Sequence, residues 1–385
     1  MSINQNNLKM FAKIGKDNLK KLLDNYYTKT IELKRDIIIE PTPDNDFECK
    51  TNIKSFGEYT CLKTNIHSSN INGEFITDTV TKSLSKGAIK LYLMYHFLPS
   101  FKFIGKNIEG RIRKNVKFTD LAKLLNMSLP AVKSNHRLLV KLGFIYETNI
   151  RRNCFDLIID GEHKLHYSKE NGGKGYIQLP LNLLNHLISL DNVNGLKLEL
   201  KKLLWVDHKV NKKHISLNKE NLIKELPFYI LKSNKLRNKY LNFKNSLFKV
   251  KNNLLDITNY SSYKTNYSAT KKELIKEIKA FLTSHNINIA NSVIRTLKER
   301  ISSKNYEPAY ITEFHNILEE EKSNLLGDLA ELTIQYGRKH IYNTLLMLKN
   351  DLDYLDETEF YLIDNFGAYM RTLIQLNLNN TGSLI

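Results

Sequence analysis

Cysteine is scarce in this 385-residue chain: Cys49, Cys61 and Cys154 are odd in number and show no C-x-x-C spacing. A disulfide framework or a zinc knuckle is therefore not indicated, and a reducing cytoplasm fits. Long apolar runs are absent too. No stretch approaches the roughly 18 apolar residues of a membrane span, and Met1 to Lys20 holds no continuous apolar segment of the kind an export signal carries. The expectation is a cytoplasmic protein without a membrane anchor. Acidic residues are the minority, 40 Asp and Glu against 58 Lys and Arg, which leaves a formal charge of +18. Such a chain repels itself and attracts polyanions, nucleic acid ahead of acidic lipid. Heavy use of Lys, Asn and Ile suggests an AT-rich genome, and part of the lysine excess then belongs to codon usage. What is present in quantity is apolar residue, 42% of the chain, enough for two or three cores and hence several domains.

The charge is unevenly spread. From Lys82 to Arg152 fifteen Lys and Arg stand against three acids, and from Lys201 to Lys251 fourteen stand against three. From Ile301 to Ile385 the balance reverses, with six basic residues against thirteen acidic. Phosphate attraction is expected from the first two blocks and a different task from the last.

Residues 1–80 read as an N-terminal extension, with a helix over Leu8 to Tyr27, a break at Pro41-Thr42-Pro43-Asp44, and extended runs around Ile37-Ile38-Ile39 and Tyr59 to Leu62. Across residues 81–170 the pattern sharpens. Ile89, Leu91, Tyr92, Tyr95, His96 and Leu98 fit a helix ending at Pro99, and Phe101 to Lys117 reads as a basic connection. Thr119 is placed as the N-cap of a two-turn helix over Asp120 to Met127. Ser128 caps the next helix, Pro130 sits early in it where a missing N–H costs little, and Gly143 stops it after Leu142. Phe144 to Thr148 and Cys154 to Asp160 then form a hairpin around the polar, basic Asn149 to Asn153.

Gly172-Gly173-Lys174-Gly175 marks a linker, since a phosphate-binding Walker loop would need Ser or Thr after the lysine. Residues 176–260 repeat the order in weaker form. Tyr176 to Pro180 leads into helices over Leu181 to Leu190 and Leu196 to Val206; Ile215-Ser216-Leu217 opens a helix over Asn218 to Leu226; and Pro227 separates it from a long basic helix, Lys232 to Lys251, before the β-like Leu254 to Ile257. After a linker from Ser261 to Ser268, Thr270-Lys271-Lys272-Glu273 is a capping-box pattern. It opens residues 269–385, read as an all-α domain with an acidic surface and helices through Phe281 and near 288–302, 308–323, 325–350 and 357–378.

Helix, short helix, tight turn, second helix, glycine and basic-tipped hairpin is the order of a winged helix-turn-helix, and residues 118–145 with their flanks resemble that superfamily. The expected fold class is mainly α with small β wings (α+β): two winged helix-turn-helix domains followed by an all-α C-terminal domain. That layout, in an AT-rich context, resembles plasmid and phage replication initiation proteins. The resemblance implies a second helix entering the major groove of double-stranded DNA, with Ser128 at its start and Lys133, Ser134, Asn135 and Arg137 exposed, while Val132, Leu138, Leu139 and Leu142 face the core. Asn135 suits adenine and Arg137 guanine, with His136 or Lys133 as alternatives. Arg151 and Arg152 suit phosphate or the minor groove, and Lys235, Arg237, Lys239 and Lys244 would do the equivalent work in the second block. It also implies that the acidic C-terminal part, including Phe366 to Arg371, recruits a replicative helicase or helicase loader or forms a homo-oligomer.

Two other readings use the same residues: a transcriptional regulator or plasmid-partition adaptor, and an interaction scaffold whose winged helices bind protein. Enzyme patterns are not met. His163 and His166 lack further ligands at a recognisable spacing, no His-x-His nicking element occurs, and Glu319-Glu320-Glu321 with Asp351, Asp353 and Asp356 fall on helical patterns typical of solvated faces. No catalytic residue, cofactor or metal is expected.

Overall fold

The computed structural model describes residues 7–24, 26–33, 39–41, 47–49, 64–68, 76–104, 109–151, 154–166, 175–206, 214–216, 234–251, 254–261, 263, 267–287, 311–354 and 366–381. The chain divides into two compact units, one of Met1–Lys16, Lys90–Ser189 and Thr258–Ile385, the other of Asp17–Ile89 and Leu190–Ile257. The described elements are mostly helices with small antiparallel sheets, an α+β architecture. Among the described residues no helix is long and apolar enough to cross a membrane.

In the first unit the helix expected from Leu8 is replaced at its start by a strand, Phe11–Gly15. Ala12 and Ile14 are buried and Lys13 is exposed, a period of two. The strand pairs antiparallel with Tyr176–Pro180, Phe11 opposite Pro180 and Ile14 opposite Ile177. A partner strand 161 to 169 residues away decides the local conformation, and helix begins only at Lys16.

The basic connection expected over Phe101 to Lys117 is also a correction: Phe101–Ile104 and Glu109–Val116 are strands. They join Phe155–Ile159 and Ile145–Thr148 in one four-stranded antiparallel sheet. The inward position at residue 113 holds an arginine, which disguises the alternation. Arg113 is 0% exposed; its Nε donates to the Tyr95 carbonyl (2.6 Å) and its two terminal nitrogens to the two carboxylate oxygens of Glu162 (2.7 Å each). Burial pushes the Glu162 carboxyl up, but the charge and hydrogen bonds of Arg113 prevail and hold it at about 2. Lys9 donates to Ser100 Oγ at 2.8 Å, and burial, reinforced by repulsion from Arg113, brings its ammonium down to about 7.

The C-terminal helices Tyr267–Ser284, Ile311–Tyr336, Arg338–Tyr354 and Phe366–Thr381 share a core around Leu274, Ile278, Leu329, Ile341, Leu345 and Ile374. Phe101 belongs to the same core and stacks on Tyr336 at 5.5 Å. Two boundaries differ from expectation. Thr270 to Glu273 lies inside a helix already begun at Tyr267, and the break expected near residue 324 falls at Gly337, whose φ of +91° suits glycine alone. The helix expected near 288–302 lies outside the described residues.

In the second unit Tyr26–Leu33, Ile76–Ser83 and Thr64–Ser68 form a three-stranded antiparallel sheet with Ile76–Ser83 central. His214–Ser216, Leu254–Asp256 and Lys249–Lys251 form another. The long helix expected from Lys232 to Lys251 is a correction: it spans only Asn234–Leu241. Asn242 ends it, because its side chain bonds both backbone groups of Val250, donating to the carbonyl (3.0 Å) and accepting from the N–H (2.7 Å). The turn that follows is held from beneath by helix Val193–Val206. Glu199 accepts from Leu247 N (2.5 Å) and from Ser246 Oγ (2.8 Å), and Lys202 Nζ donates to the Leu241 carbonyl and Ser246 Oγ, both 3.0 Å. Both side chains are fully buried, 3.6 Å apart. Burial pushes Glu199 up and Lys202 down, against their mutual attraction. The helix expected over Asn218 to Leu226 and the break at Pro227 lie outside the described residues.

Candidate nucleic-acid interface

Two helices, Phe118–Leu125 and Leu129–Lys141, and the hairpin Ile145–Thr148/Phe155–Ile159 form the candidate site. The first helix starts two residues earlier than expected from a cap at Thr119, at Phe118 rather than Asp120. Lys117 is its N-cap and offers no side-chain bond, while Asp120 in the first turn complements the positive helix end. Asn126 ends it in the left-handed region (φ 50°). The second helix begins as its sequence directs: Ser128 Oγ accepts from Ala131 N–H at 3.4 Å, and Pro130 lies in the first turn.

Gly143 ends the second helix with φ +69°, and Phe144 N then bonds the Leu139 carbonyl at 3.0 Å. A Cβ at Gly143 would meet nothing within 4 Å, so only the backbone conformation opposes a side chain there. Gly143→Ala is expected to lower stability by about 1 kcal/mol, the cost of a left-handed non-glycine residue. Urea unfolding of the two proteins checks this, and an unchanged midpoint would disprove the strain.

The second helix separates its faces cleanly. Val132, His136 and Leu139 are buried, Leu138 and Leu142 are half-buried, and Lys133, Ser134, Arg137 and Lys141 are exposed. Asn135 is half-buried and its Nδ2 donates to the Ala131 carbonyl one turn back (2.8 Å). The alternative of His136 as a base-reading residue is corrected. His136 is 1% exposed and packs against the rings of Phe118 (5.0 Å) and Phe155 (4.7 Å), which also touch each other (4.6 Å). Tyr95 O–H lies 2.7 Å from its Nδ1, and its Nε2 lies 2.7 Å from Glu147 Oε1. A carboxylate only accepts, so the proton sits on Nε2 and Tyr95 donates to Nδ1. Burial lowers the His136 pKa, opposed by the hydrogen bond and charge of Glu147. A neutral imidazole therefore ties the second helix to the hairpin and to helix Lys86–Phe97.

No family model, curated protein or solved structure matches this chain.

The hairpin's approach to its tip is pinned by Asp156. One carboxylate oxygen accepts from Asn115 N (2.9 Å) and the other from Asn149 Nδ2 (2.9 Å), and both asparagines adopt positive φ. Arg151 is exposed, and its Nη1 donates at 3.1 Å to Oδ1 of Asn115, on the strand Glu109–Val116 beside the hairpin. Arg152 lies outside the described residues. Lys133, Ser134 and Arg137 line one depression on the second helix; Ser128 is exposed at the start of that helix and Arg151 on the hairpin.

In the second basic block Lys235 and Lys239 are exposed on helix Asn234–Leu241, and Lys244 is exposed in the turn beyond it. The Arg237 side chain is outside the described set. Tyr95, Asn115, Glu147 and Asp156 were missed by sequence reasoning. Their partners lie 7 to 41 residues away, and no local pattern announces them. Among the described residues no group of three His, Cys, Asp or Glu is placed to hold a metal ion.

Proposed function

We propose that this chain is a sequence-specific double-stranded DNA-binding protein in which residues 118–160 work as a winged helix-turn-helix, within a cytoplasmic plasmid or phage replication initiator. The observation that carries the reading is the two-faced second helix. Its buried face is locked by Val132, His136 and Leu139, its exposed face presents Lys133, Ser134 and Arg137, and the hairpin that follows it in the chain bears the exposed Arg151. Exposed cations on a rigid helix suit base edges, and a cation near a hairpin tip suits phosphate or the minor groove. Fifteen Lys and Arg against three acids from Lys82 to Arg152 supply the attraction. Origin repeats are the proposed target, and the helical C-terminal part is the surface proposed to recruit a replicative helicase or its loader.

Fluorescence anisotropy with labelled duplex from the region flanking the gene, against random duplex over a salt series, tests this. Arg137→Ala is expected to weaken selective binding roughly 5- to 150-fold, the worth of one bidentate base contact. Arg151→Ala should weaken both duplexes alike and reduce the salt slope by about 1. Absence of binding at low salt would reject the reading.

A further inference from the structure

The exposed face of helix Leu129–Lys141 is not uniformly basic. Leu129 and Pro130 open it, and Leu129 is 36% exposed, one of eight large apolar side chains so placed among the described residues. A single exposed leucine calls for no explanation. Here, however, Leu129 and Pro130 line a shallow depression of about 340 Å³ together with Lys133, Ser134 and Arg137. The spacing explains the grouping, since residues four apart on a helix are surface neighbours. Leu129 lies next to Lys133, Pro130 next to Ser134, and Lys133 next to Arg137. The depression is thus apolar at one end and cationic at the other. Ser128 engages Ala131 N–H and holds the apolar end in place.

In the major groove three bases present only hydrogen-bond donors and acceptors at their edges, and thymine adds a methyl group. Water gains nothing from an exposed leucine and proline, whereas a methyl group seated on them leaves water together with them. We infer that Leu129 and Pro130 form a slot for the C5-methyl group of thymine, with Lys133 and Arg137 placed for the acceptor edges of the adjoining bases. This rests on the DNA-binding reading and narrows its target to sites with a thymine at a fixed place in the half-site.

The test uses the full chain and the 20-bp duplex it enriches most from a randomised pool. Each thymine is replaced in turn by deoxyuridine, which deletes only the methyl group. Wild-type affinity should fall about fourfold at one or two positions, the worth of one buried methyl-sized group. Leu129→Ala should bind the parent duplex more weakly and lose its sensitivity at those same positions. Leu129 is exposed, so the variant should melt with the wild type, and Leu129→Gln serves as a second, polar replacement. Three results would overturn the slot: no position sensitive to deoxyuridine, a loss that persists in both variants, or binding without enrichment of any sequence. Failure to bind any duplex at low salt would instead remove the DNA-binding reading itself, and the slot with it.

Discussion

Lys202→Ala is expected to destabilise the unit that contains it by about 3–5 kcal/mol, because it leaves the Glu199 carboxylate buried without its countercharge. Several bonds fail together. The Leu241 carbonyl and Ser246 Oγ lose their shared donor, and the turn joining helix Asn234–Leu241 to strand Lys249–Lys251 loses its support. Against the 5–15 kcal/mol typical of a folded protein, this removes a large share. The double replacement Glu199→Gln, Lys202→Met should recover most of the loss. Glutamine still accepts from Leu247 N–H, methionine fills the lysine's volume, and no buried charge remains. The only tryptophan, Trp205, lies three residues further along the same helix and reports this unit by fluorescence during urea unfolding. A single variant within about 1 kcal/mol of wild type would show that water reaches the pair.

The second large effect concerns acid. Burial holds His96 at about 3 and His340 at about 4, against an ordinary value of 6.5. Both are therefore neutral in the folded protein and charged in the unfolded chain once pH drops below 6.5. The unfolded state then binds more protons, so stability falls with falling pH. Each group's contribution is complete above 6.5 and is lost down to about 4 for His340 and about 3 for His96, at about 1.4 kcal/mol per pH unit. By pH 4 each should have cost about 3 kcal/mol. Glu162 adds to this in a lower window, from 4.5 down to about 2, as its pairing with Arg113 is protonated away. The unit holding all three residues should thus lose stability between pH 6.5 and 5, above the range in which ordinary carboxylates titrate. Thermal melts at pH 7.5 and 5.0 measure this, and His96→Phe with His340→Leu should flatten the response. Equal melting of the wild type at both pH values would refute it.

The separation of the two faces of helix Leu129–Lys141 was legible because local chemistry sets it. Ser128 caps, Pro130 tolerates the first turn, Gly143 stops, and Val132 and Leu139 mark the inward side. His136 was misplaced for a reason that periodicity does not contain. It lies between Val132 and Leu139 on the same inward face, yet a histidine is accepted there only because Tyr95 and Glu147, 41 and 11 residues away, satisfy both ring nitrogens. Arg113 hid a strand in the same manner. An arginine at an inward position reads as a connection until Glu162, 49 residues on, neutralises it.

From the sequence alone come the charge blocks, the mixed helix-and-sheet class, the paired helices and the hairpin after them. Each depends on residues within a turn or two of one another, where capping, φ preference and periodicity act directly. Tertiary structure alone decided that Phe11–Gly15 is a strand, that the basic helix ends at Leu241 rather than Lys251, and that Phe101 enters the core of the C-terminal helices. Local propensities differ by only about 0.5 kcal/mol per residue. A distant strand, a buried ion pair or a shared core outweighs them whenever the chain brings such partners together.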